Sequence, residues 1–574
     1  MLEGSGPELH AEHLRTLTRA ARTIDIGATL PSNLGSHLVQ RMQKLDPPTT
    51  RELIVERGLN VPMRDGAVLI ADRYAPKMGG EGLPIAIARS PYGRGGAMSS
   101  QVARPLAERG FQVLIQSTRG TFGSDGPFEP MRRERDDGLD TLEWVRKQPW
   151  FGDAIVLVGG SYLGVVQWAV ADSAPPEVRA MIPAVTNSAA TLEFYRRDGF
   201  SLEVPFIWGV QVEGQERRFS LLRQLAGVRR VTKAMNALPL TDADVAALGR
   251  HSDYIQAMLA HDADDPYWAP IDHRGRVPNV TIPVSQIAGW YDIFLPDQLR
   301  DHQLLDAAGH EPRLMVGPWS HVSPSVGGVS TREALDFGLA LGRGEKAPDR
   351  APVRLFVMGG VGWRDFASWP PSGYAPTRYY LQQGGSLSSD VGVEDTLGGS
   401  DNYRYDPADP TPAAGGVRMT FGARVGRVNN RKLEARSDVM TYTTKPLSED
   451  VEVVGEITAE IWFRSSLPYA DVFVRVCDVD TKGRSFNVCD GLKSVERADD
   501  ESCVAVSLWP TAYRFKKGHS IRVQISSGAF PRYNRNPGTG EPRESAVRLK
   551  AAEQTVFHSA ARPSAVILPV RQPA

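Results

Sequence analysis

The stretch A-I-V-L-V-G-G-S-Y-L-G-V-V-Q-W (154–168) decides how this chain is read. Residues 154–158 are continuously apolar, as expected of a strand covered on both faces of a parallel sheet. The segment from Tyr162 onward reads as a helix. Between them, Gly159, Gly160 and Ser161 form a sharp corner where glycine permits close backbone approach. Such a corner presents a serine Oγ at the positive end of a helix, where developing negative charge is favoured. The strict G-x-S-x-G pattern is not met: Leu163 takes its last position and the glycine follows at Gly164.

Working outward, L-P-I-A-I-A-R-S-P (83–91), F-Q-V-L-I-Q-S-T (111–118) and V-R-A-M-I-P-A-V-T (178–186) are further strand candidates, and 134–148 is an amphipathic helix with Leu139, Leu142 and Val145 on its apolar side. Strand–helix alternation implies a mostly parallel sheet with right-handed crossovers. Strand signals stop between 189 and 265. There L-L-R-Q-L-A-G-V-R-R-V-T-K-A-M-N-A-L and A-D-V-A-A-L-G-R-H-S-D-Y-I-Q-A-M-L-A read as helices, an insertion expected to cap the sheet. The sheet pattern resumes with I-P-V-S-Q-I-A-G (282–289), a helix closed by Gly309, and P-R-L-M-V-G (312–317). After about 350 the texture is period-2. In 451–466, Val453, Ile457, Ala459, Ile461 and Phe463 face one way and Glu452, Glu456, Thr458 and Glu460 the other, as in an antiparallel sandwich. The expected organisation is a helical extension (1–50, Leu14, Leu17 and Ala21 sharing a face), a sheet domain in two parts (51–188 and 266–350), the helical insertion (189–265) and a β-sandwich (351–574).

The length of 574 residues suits about three domains, and 41% hydrophobic with 23% charged residues is the balance of a globular chain. A formal charge of −1 leaves no basic field for nucleic acid or anionic lipid. No apolar run reaches the ~20 residues that span a bilayer. Cys477, Cys489 and Cys503 match no metal spacing and read as small apolar thiols in a reduced protein. The charged N-terminus lacks the apolar core of a secretory signal, so a cytoplasmic location is expected.

A serine hydroxyl near pH 7 needs an adjacent base, itself oriented by a carboxylate. Of the eight histidines after Ser161, His251, His261 and His302 lie in charged helical stretches and read as solvated, and His519 and His558 belong to the β region. His321 differs: it follows P-R-L-M-V-G in the turn G-P-W-S-H, at the kind of strand end where sites of open α/β sheets collect. The acid candidate is Asp292 in G-W-Y-D, directly after a strand. Asp297, Asp301 and Asp306 compete from helical positions, where solvation is expected. The N–H of Tyr162 is one oxyanion donor candidate. Tyr92, in S-P-Y-G after another strand, could offer its hydroxyl as a second or be a plain turn aromatic.

The stretches V-P-M-R-D-G (61–66), R-S-P-Y-G-R (89–94), T-R-G-T-F-G-S-D-G-P-F (118–128), D-T-L-E-W-V-R-K-Q-P-W (140–150), G-G-S-Y-L-G-V-V-Q-W (159–168), A-G-W-Y-D-I-F (288–294) and V-G-P-W-S-H (316–321), with V-R-L-F-V-M-G-G (353–360), Y-D-P-A-D-P (405–410) and I-S-S-G-A-F-P-R-Y-N-R-N (525–536), together resemble the cocaine-esterase-like α/β hydrolases. That family is akin to X-prolyl dipeptidyl aminopeptidases and α-amino-acid ester hydrolases. The resemblance runs from about residue 55 onward. Its serine motif is G-x-S-Y-x-G, so Leu163 is no departure; Ser117 stands where aspartate is frequent. The resemblance implies an α/β-hydrolase core, a helical cap and a C-terminal jelly roll. It implies Ser161 as nucleophile, His321 as general base, Asp292 as orienting acid, and Tyr92 hydroxyl with Tyr162 N–H as oxyanion hole.

The leading expectation is a serine carboxylesterase acting on a small-molecule ester through an acyl-enzyme, with no cofactor and no metal. Phe294, Trp208 and Phe194 are candidates for the acyl pocket. A second reading is an amide-cleaving X-prolyl dipeptidase or α-amino acylase, which must bind an α-ammonium; Glu203, Glu213 and Glu216 are the carboxylates at hand, though solvated helix charges are expected there. A third is a non-catalytic carbohydrate-binding protein. Jelly-roll edges often pair between subunits, which makes a homodimer compatible with this reading.

Overall fold

The computed structural model describes residues 32–189, 199–216, 220–262, 265–390, 399–419 and 425–573. Most of the helical extension expected over 1–50, including Leu14, Leu17 and Ala21, lies outside them, as does Phe194. The chain divides into two compact units: Met1–Gly159, Ala174–Ala180 and Gly327–Ala347 form one, and Gly160–Ser173, Met181–Val326 and Pro348–Ala574 the other.

In the first unit, β1 (Leu53–Pro62) and β2 (Val68–Pro76) form an antiparallel pair, and β2 is antiparallel to β4 (Gln112–Ser117). β3 (Ile85–Ser90) runs parallel to both β4 and β5 (Ile155–Gly160). β3 and β4 are buried along their whole length, which is why their sequences are apolar without alternation. Helix α1 (Ser32–Gln43) is tied to this unit by Ser36 Oγ donating to Glu108 Oε2 at 2.7 Å and Gln43 Nε2 donating to the Gln101 carbonyl at 3.0 Å. Helix α2 (Glu134–Arg146) falls where its amphipathic pattern places it.

The second unit opens with helix α3 (Tyr162–Ala171) and most of β6 (Val178–Ala184). β6 pairs in parallel with β7 (Ser285–Tyr291), and β7 with β8 (Arg313–Ser320). Between β6 and β7 lies the helical insertion, including α4 (Glu203–Gly214), α5 (Ser220–Ala234), α6 (Ala243–Leu248) and α7 (Asp253–Ala260). The helical pattern expected to continue from 243 to 260 is broken. Gly249 ends α6 with φ +80°, the left-handed position glycine fills at helix C-termini, and Ser252 starts α7 by accepting from Ile255 N–H.

Two expectations for the β-rich region need correction. Val353–Val357 (β9), within the region 351–574 expected to be sandwich, instead joins the α/β sheet, parallel to β8, and Gly362–Phe366 (β10) extends it antiparallel. A boundary at 350 missed this because a five-residue strand carries too little pattern to tell the two sheets apart. The sandwich itself is built largely from antiparallel pairs, the longest being Val451–Ser465 with Ser502–Phe515 and Tyr469–Val479 with Ser485–Glu496. Within 451–465 the expected alternation holds at Val453, Ile457, Ala459, Ile461 and Phe463, but Glu452, on the opposite face, is buried as well. There it accepts from Arg364, Tyr374 and Arg514, each at 2.7 Å. One hydrophobic core runs from Trp290, Leu299 and Val316 through Leu355 to Ile461, Val506 and Val523, joining β7–β9 to the sandwich. Cys477 and Cys489 are buried as free thiols, whereas Cys503 is exposed.

Candidate active site

Ser161 occupies the corner after β5 with φ 57° and ψ −127°, a conformation that L-residues seldom adopt and that a nucleophile elbow demands. The surrounding contacts hold it there. Its N–H donates to the Ala184 carbonyl at 2.9 Å, and its own carbonyl accepts from Gly164 N–H at 2.8 Å and Thr186 Oγ1 at 2.9 Å. These contacts explain the spacing G-G-S-Y-L-G. A Cβ on Gly164 would lie 2.2 Å from Thr186 Cγ2, so the helix approaches β6 closely only with glycine there. Leu163, by contrast, is accommodated as a buried core side chain.

Asp292 and His321 follow the neighbouring parallel strands β7 and β8. Gly289 is opposite Gly317 but Tyr291 is opposite Ser320, so β8 carries one extra residue at its C-terminal end. This bulge re-aims the chain just before His321. Both glycines of the motifs serve it: a Cβ at Gly289 would lie 2.4 Å from the Trp319 carbonyl oxygen, and one at Gly317 2.5 Å from the Trp319 ring.

The three side chains meet in a line. His321 Nε2 lies 2.9 Å from Ser161 Oγ, and His321 Nδ1 lies 2.8 Å from Asp292 Oδ2. Asp292 is fully buried; its other carboxylate oxygen accepts from Phe294 N–H at 2.9 Å. A carboxylate held on one side by a backbone donor can orient an imidazole from the other, leaving Nε2 as acceptor toward the serine hydroxyl. The Phe294 ring stands edge-on to His321, centroids 5.4 Å apart, and limits the imidazole's tilt.

Tyr162 opens α3, so its N–H points out of the helix N-terminus. Its ring is stacked on Trp208 of the insertion at 6.1 Å, and Trp208 meets Tyr254 edge-on at 5.0 Å. Trp208 and Phe294 are therefore each one aromatic contact from the Ser161–His321 pair. Tyr92 belongs to the other unit, half-buried in the turn after β3, with its N–H on Ser90 Oγ at 3.0 Å. Among the described residues no group of three or more His, Cys, Asp or Glu is disposed to hold a metal ion, and no helix is long and apolar enough to cross a membrane.

Several charges expected in solvent are buried. Asp297 accepts from Asn187 Nδ2 at 3.0 Å, and Asp301 accepts from Ser188 N–H and Oγ, both at 2.7 Å. These bonds tie the start of the insertion to helix α8 (Leu295–Ala307). Burial pushes the Asp301 carboxyl up to about 6, against the pull of Arg300 and Ser188. His302 is buried as well, and burial lowers its imidazole to about 4. Glu203 is 2% exposed and paired with Arg418, whose Nε lies 2.9 Å away. In each case the partner is distant in sequence or burial comes from tertiary packing, so local charge density misleads. His251, His261 and Asp306 remain at least partly exposed, as expected.

The X-Pro dipeptidyl-peptidase (S15 family) pattern matches residues 65–323, and the X-Pro dipeptidyl-peptidase C-terminal non-catalytic domain matches 346–567. Cocaine esterase of Rhodococcus sp. (strain MB1 Bresler) is 31% identical over 576 residues, covering 90% of this chain and 98% of its own. Among solved structures, an aminopeptidase from a marine sediment Thaumarchaeota archaeon superimposes with a TM-score of 0.76 at 20% identity, covering 96% of this chain and 99% of its own. An α-amino acid ester hydrolase does so with a TM-score of 0.75 at 20% identity, with the same two coverages, 96% and 99%. With an α/β-hydrolase region, a helical insertion and a C-terminal β-sandwich in this order, the chain belongs to the cocaine-esterase-like S15 family of α/β hydrolases and is a serine hydrolase acting on esters.

Proposed function

We propose that the chain hydrolyses small-molecule carboxylic esters through an acyl-enzyme on Ser161. The observation that carries this is the continuous hydrogen-bonded line Ser161 Oγ–His321 Nε2 and His321 Nδ1–Asp292 Oδ2, at 2.9 and 2.8 Å. Ser161 attacks the ester carbonyl as His321 takes its proton, and Asp292 stabilises the imidazolium that forms. Tyr162 N–H donates to the tetrahedral oxyanion, and the family resemblance implies the Tyr92 hydroxyl as a second donor. His321 then protonates the leaving alcohol, and in the second half takes a proton from water to release the acid. The chemistry requires no cofactor. Phe294 and Trp208 form apolar walls for the acyl or alcohol group, which favours a neutral substrate. The free thiols favour a reducing, cytoplasmic setting.

An ester is favoured over an N-terminal peptide by the state of the insertion's carboxylates. An α-ammonium needs a carboxylate to receive it, but Glu203 is neutralised by Arg418 and Glu213 is bound to Arg250, while Glu216 lies exposed at the end of α4. Comparing p-nitrophenyl butyrate with an Ala-Pro anilide tests this. The ester should have the higher kcat/KM by roughly 10²-fold, since Glu203 and Glu213 are already engaged by arginines. Preference for the anilide would make the protein an aminopeptidase on the same residues.

A further inference from the structure

The acid of the site is gripped by its main chain as well as its carboxylate. The Asp292 carbonyl oxygen accepts from the indole Nε1–H of Trp509 at 3.1 Å, across a sequence separation of 217 residues, and at 3.4 Å from Leu295 N–H. Trp509 lies on the sandwich strand Ser502–Phe515. Behind it, the guanidinium carbon of Arg532 sits 4.9 Å from the indole ring centre, within cation–π range. Arg532 is itself buried and bound to Asp490, which Arg475 Nη2 also reaches at 2.9 Å. The same loop grips the start of the insertion: the Arg532 carbonyl accepts from Leu202 N–H at 3.0 Å, and Asn534 N–H donates to the Phe200 carbonyl at 2.7 Å. The motif I-S-S-G-A-F-P-R-Y-N-R-N (525–536) thus touches the chain leading into α4 and, through Trp509, the loop of the acid.

We infer that Trp509, braced by Arg532, is a positioning residue for Asp292, so that the region matched as a non-catalytic domain takes part in the chemistry. The inference rests on the Ser161–His321–Asp292 reading. Asp292 comes one residue after β7, where no sheet partner fixes its peptide plane. The orientation of that plane aims Cβ, and with it Oδ2, at His321 Nδ1. The indole donor fixes the plane from the carbonyl side. Its loss frees the loop to rotate and lengthens the bond that keeps the imidazole in its working tautomer.

The test is a mutant cycle on the full chain with p-nitrophenyl butyrate. Trp509→Phe keeps the ring against Arg532 and removes only the N–H. It should lower kcat about three- to tenfold, the worth of one neutral hydrogen bond, with KM within about twofold and an unchanged melting temperature. In an Asp292→Asn background, followed through its residual turnover, the same change should cost nothing further, because the carboxylate it serves is gone. A purely structural role would cost the same factor in both backgrounds. Equal losses in both, or a kcat within about twofold of wild type for Trp509→Phe alone, would overturn the assignment. If Trp509→Phe does not fold, Trp509→Tyr is put through the same cycle with the same criteria. An Asp292→Asn variant with wild-type kcat would overturn the underlying reading instead, and this inference with it.

Discussion

The helix that follows Asp292 and the sandwich hold buried carboxylates in different ways. Around the site, Asp292, Asp297 and Asp301 are buried on or beside one helix, where His321, Phe294 N–H, Asn187 and Ser188 lie within hydrogen-bond distance of them. Arg300 lies 3.2 Å from Asp297 and 3.6 Å from Asp301. In the sandwich, buried carboxylates are matched by arginines. Asp490 has Arg475 and Arg532, Glu452 has Arg364 and Arg514, and Asp471 has Arg543. The contrast separates two uses of burial. Burial raises the carboxyl of Asp301, which Arg300 approaches only to 3.6 Å, whereas Asp490, locked to Arg475 and Arg532, keeps its charge and holds strands in place.

The comparison breaks most visibly at Asp490. Burial alone would raise its carboxyl, but Arg532 and Arg475 hold it below the ordinary value. Asp490→Asn leaves two buried guanidiniums short of a counter-charge and should lower stability by about 3–5 kcal/mol in guanidinium chloride unfolding. A loss under about 1 kcal/mol would show that the sandwich does not depend on matched charge.

A smaller effect sharpens the other side. His302 stays neutral in the fold down to about pH 4, but takes a proton near pH 6.5 when unfolded. Its contribution is therefore present at pH 7 and lost as pH falls from about 6.5 to 4. Asp301 beside it works the other way: protonated near 6 in the fold and near 3.9 unfolded, it contributes below that window and loses the contribution as pH rises. His302→Gln removes the first slope and leaves the second. Unfolding midpoints between pH 7 and 4 should show the variant gaining on wild type by up to about 3 kcal/mol at the acid end. Parallel curves would mean that His302 titrates alike folded and unfolded.

What the sequence made legible follows the range of the interactions involved. The elbow could be read because its causes are local: a buried strand, glycines at 159, 160 and 164, and a helix, all within fifteen residues, 154–168. Asp292 and His321 were legible because each ends a strand in a glycine-bearing turn. Glu203, Asp301 and His302 were misread because their burial depends on contacts such as Arg418 and Ser188, which are 215 and 113 residues away. Trp509 gave no signal at all. On a strand of alternating residues it looks like any half-buried aromatic, and only the fold brings it to Asp292. The helical region was legible in type but not in its break at Gly249, where a single left-handed residue outweighs the periodicity.

Covalent labelling tests most directly whether Ser161 is the nucleophile. Treated with a fluorophosphonate, the chain should take up one adduct, found by peptide mass spectrometry on the segment containing Ser161. Ser161→Ala should take up none and lose ester turnover by more than roughly 10³-fold. An adduct on another serine, or turnover in that variant within about tenfold of wild type, would contradict the account.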